Sequence, residues 1–242
     1  MGKQHLPGYS TAFKDAAWET RDSTHYRFCF FKDSLAEKEI ERIIIVQEEY
    51  FRKILQFLGL AAPEKKIFYY LYPDSRTKEQ LMGSPWFAQS IYEDFSIHAL
   101  YTEKDRVIGP HEDTHLLSLP WGLSIGFLQE GLAEWMVGHA WDGKPHMEYV
   151  RGGMEKNVYP PIATFMRHEA WLETSDERAI YFYSLAGAFA AYLISTFGRP
   201  KFEELYKRTN RKLSGEQNKN IFNAVYRKDI SIAETDFTDT FF

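Results

Sequence analysis

Gly109-Pro110-His111-Glu112-Asp113-Thr114-His115-Leu116-Leu117 is the stretch on which both fold and chemistry turn. Proline suits the first position of a helix, where its missing N–H costs nothing. The spacing therefore predicts a helical segment over 108–119 that starts at the site and stops at Pro120 and Gly122. Residues four apart on a helix share a face about one turn, roughly 6 Å, apart. His111 and His115 can thus offer two imidazoles to one metal ion at about 2.0–2.1 Å each. Glu112 lies about 100° around the helix, close enough to take a proton from a water attacking a carbonyl and return it to a leaving amine. Without a metal, HEDTH is a solvated helix face with two ordinary histidines.

Cys29 is the only cysteine, which excludes a thiolate metal cluster and an intramolecular disulfide framework. Any metal must be held by His, Asp and Glu. A catalytic zinc needs a third protein ligand and one open position. No histidine follows at a suitable spacing, since that place falls on Trp121. The next helical stretch, Phe127-Leu128-Gln129-Glu130-Gly131-Leu132-Ala133-Glu134-Trp135, supplies acids instead. A helical hairpin turning at 120–122 can bring Glu130 back as a carboxylate ligand. Glu134, one turn further on the same face, can fix the tautomer of a ligating histidine. Each acid can also be a plain solvated helical carboxylate.

HEDTH followed by FLQEGLAEW resembles the gluzincin zinc metallopeptidases. It is most similar to the peptidase MA-like group, relatives of the aminopeptidase N catalytic core and, more distantly, of thermolysin. The resemblance implies His111, His115 and Glu130 as ligands of one Zn2+ per chain, Glu112 as general base and acid, and Glu134 as a supporting carboxylate. A third block, Tyr181-Phe182-Tyr183-Ser184-Leu185-Ala186-Gly187-Ala188-Phe189 through Tyr192-Leu193, is similar to that group's Y-x-x-A-G-x-F-x-x-Y-L helix. It implies a tyrosine donor to the developing oxyanion, a role worth roughly 3–4 kcal/mol. Tyr183 aligns best and Tyr181 is the alternate. One departure is Asp113, where the group has an apolar residue; it can face solvent or support a ligand. The G-x-M-E-N block of aminopeptidase N is absent, which disfavours aminopeptidase action.

Further out, Thr24–Phe31 (THYRFCFF), Ile67–Tyr72 (IFYYLY) and Ser96–Tyr101 (SIHALY) read as strands. The resemblance makes the last an edge strand for an extended substrate. Ser34 and Glu37 have capping-box spacing ahead of a helix running to Gly59. A short helix is expected over 78–82, further helices over 124–137, 177–197, 202–208 and 220–225, and a long loop over 138–161. Strands cluster early and helices late, so the fold class is α+β. The resemblance makes it zincin-like: a small N-terminal mixed sheet with one long helix, the metal helix, and a helical C-terminal lobe across a cleft. Residues 1–23 are expected to be an irregular arm, and 24–242 one peptidase domain with a sheet lobe (24–118) and a helical lobe (119–242).

Composition narrows the classes further. Apolar residues at 44% and aromatics at 17% of 242 exclude disorder as the default state. A net charge of −5 with scattered Lys and Arg argues against nucleic-acid binding. Uncharged apolar runs fall short of the roughly 20 residues of a membrane span. The start carries no apolar signal region, which points to the cytoplasm as written, or to export if a signal peptide preceded it. His98, His139, His146 and His168 lack ligand spacing and are expected at the surface or in packing. The expected function is zinc-dependent hydrolysis of a peptide or protein substrate. The alternative is a non-catalytic protein whose metal site is structural or vestigial and which binds a protein partner.

Overall fold

The computed structural model describes residues 9–241, so the first eight residues of the expected arm lie outside it. Contacts divide the chain between Ser118 and Leu119 into two compact units. The architecture is α+β: a five-stranded mixed sheet with a long helix at the N-terminal end, and helices in the second unit.

In chain order the first unit contains α1 (Thr11–Asp15), β1 (Trp18–Asp22), β2 (Tyr26–Phe31), α2 (Leu35–Lys38), α3 (Ile40–Leu58) and β3 (Ile67–Tyr72). It continues with α4 (Ser75–Met82), β4 (Ala88–Ile91), β5 (Ser96–Leu100) and α5 (Pro110–Leu117). The strand order is β1-β2-β3-β5-β4; β2, β3 and β5 run parallel, and both outer strands are antiparallel to their neighbours. α3 buries Ile43, Gln47, Phe51, Ile54 and Leu58, a stripe at helical spacing. Phe51 of that stripe meets the Tyr26 ring of β2. Gly59, in the left-handed conformation at φ 67°, ends the helix. The opposite sheet face is covered by Tyr9, Phe13 and Trp18, which pack on Tyr70, Tyr72 and His98.

The second unit comprises α6 (Gly126–Val137), α7 (His146–Glu155), α8 (His168–Leu172), α9 (Ala179–Phe197), α10 (Arg199–Arg208), α11 (Gly215–Tyr226) and α12 (Ile230–Phe241). α9 is its core helix, packed by α6, α7 and α10. Residues 176–197 are long and apolar enough to cross a membrane by length and composition, yet 56% of their most apolar 18-residue window is buried in the structure. α6 and α9 approach closely because Gly131 has no side chain: a Cβ there would lie 2.7 Å from the Ala186 carbonyl oxygen.

Five expectations are corrected. Residues 9–22 are not an irregular arm but carry α1 and β1; β1 alternates poorly, with only Trp18 partly buried, so its ladder to β2 forms it rather than an apolar pattern. Ser96–Leu100 is not an edge: β4 pairs outside it and all five residues are buried. The Gly- and Pro-rich stretch 138–161 contains α7, with Pro145 before its first residue and Gly153 leaving room for the Tyr159 ring, which a Cβ would meet at 2.3 Å. α12 was missing from the sequence-based expectation because its buried residues, Ile230, Ala233 and Phe237, are sparse. At Ser34 the capping box is half made: the hydroxyl accepts from Glu37 N–H, but the Glu37 carboxylate takes the N–H of Asp33 instead.

Candidate metal centre

Gly109 stands at φ 139°, a conformation open to glycine, and Pro110 follows at the first position of α5. This turn points His111 and His115 along one face. Their Nε2 atoms are 3.3 Å apart, with the rings edge-on at 79°. Two ligands at about 2.0–2.1 Å on a tetrahedral ion stand about 3.3–3.4 Å apart, so the imidazole pair fits a zinc ion. His115 is buried and His111 half-buried.

Glu112 is half-buried beside them. Lys78 of α4 is fully buried, and its ammonium donates to Gln89 Oε1 on β4 at 3.2 Å. Burial pushes that ammonium down to about 8, against the opposing pull of the Glu112 carboxylate. His98, expected at the surface or in packing, is buried in the sheet. Its Nδ1 lies 2.8 Å from Tyr72 Oη and its Nε2 3.1 Å from Ser96 Oγ. Burial, and then Lys78, hold its pKa well below the usual histidine range.

Asp113 does not face solvent. It is fully buried and accepts a short hydrogen bond from the Tyr26 hydroxyl of β2 and one of 2.8 Å from Gln47 Nε2 of α3. Gln47 Nε2 also reaches the Gly109 carbonyl at 3.4 Å. One carboxylate thus ties α5 to the sheet, to α3 and to its own initiating turn. Burial pushes its carboxyl up to about 7, although both hydrogen bonds act the other way. Tyr26 and Gln47 escaped sequence reasoning because they lie 87 and 66 residues from Asp113. The one available signal was a polar Gln47 within the apolar stripe of α3.

In the second unit α6 carries Glu130, half-buried, and Glu134, buried one turn later. His146 of α7 lies against Glu134, its Nε2 3.1 Å from the main-chain oxygen and 3.6 Å from Oε2. His146 Nδ1 lies 3.3 Å from Ser184 Oγ of α9. His168 is also buried, its Nδ1 accepting from Gly126 N–H at 3.0 Å. His139 is exposed on the turn after α6. The two candidate tyrosines differ in surroundings. Tyr183 is half-buried, with ring centroids 5.4 Å from Trp171 and 6.0 Å from Trp141. Tyr181 accepts at its hydroxyl from Lys156 Nζ at 2.9 Å and packs edge-on against Tyr149.

Comparison of the chain with protein-family models and with curated proteins returns no match.

Proposed function

We propose that the protein is a zinc-dependent metallopeptidase of gluzincin type, in which His111, His115 and Glu130 hold the ion. The observation that carries the proposal is the pair of Nε2 atoms 3.3 Å apart on α5, the separation two ligands of one tetrahedral zinc require. Support for the third ligand is that α6 carries Glu130 as a half-buried carboxylate one turn before the buried Glu134. When bound, zinc polarises the scissile carbonyl and acidifies water. The chain's own groups do the rest. Glu112 accepts a proton as water oxygen bonds to the carbonyl carbon, then passes it to the amine nitrogen as the C–N bond breaks. Tyr183 donates its hydroxyl hydrogen bond to the oxyanion formed between those steps. Asp113 keeps α5 fixed while Glu112 changes charge.

The test is metal content of extensively dialysed protein together with hydrolysis of a mixed peptide library. Expected are about one zinc per chain in both wild type and Glu112→Gln, and cleavage only in wild type. Folded wild type without zinc would refute the proposal, and cleavage persisting in Glu112→Gln would remove Glu112 as the base.

A further inference from the structure

We infer that His146 is a positioning residue of this centre, one imidazole that fixes the Glu134 end of α6 against α9; what Glu134 supports rests on the metallopeptidase proposal. A carbonyl oxygen can only accept, so the 3.1 Å contact to the Glu134 main chain places the proton on Nε2. In the neutral ring Nδ1 then accepts from the Ser184 hydroxyl. His146, Glu134 and Ser184 are 8%, 5% and 1% exposed. Around them α6 and α9 bury almost only Gly, Ala, Leu and Phe. A polar side chain is costly in such a seam unless its hydrogen bonds are made.

The seam is shaped for this ring. A Cβ on Gly187 would lie 2.7 Å from Glu134 Cβ and 3.2 Å from His146 Nε2. Glycine at 187 therefore leaves the space that the carboxylate stem and the imidazole share. Glu130 lies one turn before Glu134 on the same helix face, and Tyr183 immediately precedes Ser184. Holding Glu134 and Ser184 with one ring sets the register of the third ligand and of the oxyanion donor together. His146 acts through the two helices, by its contacts to Glu134 and Ser184.

The experiment compares His146→Ala, His146→Gln and His146→Asn in the full chain, by chelator competition for zinc and by kcat and KM on a peptide cleaved by wild type. A glutamine amide nitrogen takes the place of Nε2 and can donate to Glu134; an asparagine amide takes the place of Nδ1 and cannot. Expected is a loss of zinc affinity of roughly 10–100-fold in the alanine and asparagine variants, with kcat falling more than KM rises, and substantial rescue by glutamine. Gln and Asn variants that behave alike, or an alanine variant with wild-type zinc affinity and kcat, would overturn the inference while leaving the metallopeptidase proposal standing. Folded wild type that binds no zinc would instead remove that proposal, and the role of His146 with it.

Discussion

Lys78→Met probes the environment beside Glu112. Lys78 is fully buried and its ammonium makes one hydrogen bond, to Gln89, among the described residues. Burial lowers its pKa from 10.5 to about 8. At about 1.4 kcal/mol per pH unit, holding the charged form in the folded state at pH 7 costs about 3 kcal/mol. Methionine fills the same volume without a charge and forfeits a hydrogen bond worth about 1 kcal/mol. The expected net gain is about 2 kcal/mol at pH 7. The sign with pH follows from proton counts. Between about 8 and 10.5 the unfolded lysine holds a proton that the folded one has released, so wild type gains stability as pH rises through that window. By pH 10 the penalty falls below about 1 kcal/mol and the two proteins converge. The assay is urea unfolding of both at pH 7 and pH 10, where other titrations are common to the pair. A Met variant less stable than wild type at pH 7, or a gap independent of pH, would refute the reasoning.

Four further outcomes are expected. Gly131→Ala destabilises by about 1–2 kcal/mol, overpacking against the Ala186 carbonyl outweighing the gain in helix propensity. Gly152→Ala on α7 meets only ordinary contact at 3.8 Å and stabilises by up to about 1 kcal/mol; thermal melts giving both substitutions the same sign contradict the close approach of α6 and α9. Tyr26→Phe leaves a buried carboxylate oxygen without its donor and costs about 2 kcal/mol in denaturant unfolding; a cost near zero removes the clamp on α5. Glu130→Ala lowers zinc content after dialysis below that of wild type, and a normal zinc content there rules Glu130 out as a ligand.

Elements with strong periodicity were legible in the sequence. α3 with its stripe at helical spacing, β2 and β3 with their aromatic runs, and α9 with its stop at Gly198 fall within a few residues of expectation. Elements made by their neighbours were not. β1 and β4 are short, polar outer strands whose reason to exist is a ladder to a better strand, and no local pattern announces that. The imidazole pair was legible because four-residue spacing on a helix dictates its geometry. Its supports were not, since the Tyr26–Asp113–Gln47 clamp joins residues distant in sequence. His146 likewise gives no local sign of its place between α6 and α9, because α7 lies in a stretch whose glycines and prolines read as loop.

The buried carboxylate at 113 also constrains how this chain can diverge. Asp113 is tolerable there only while a hydroxyl at 26 and an amide at 47 remain to meet it. Losing either partner first leaves a buried carboxyl oxygen without its donor, whereas replacing the acid first strands two donors. Descendants of this chain should therefore exchange the three positions together, a phenolic hydroxyl, a carboxylate and an amide giving way to Phe, an aliphatic residue and a larger apolar side chain within the same lineage. Covariation of 26, 47 and 113 would then be a heritable mark carried by the scaffold, independent of the residues proposed to hold the metal.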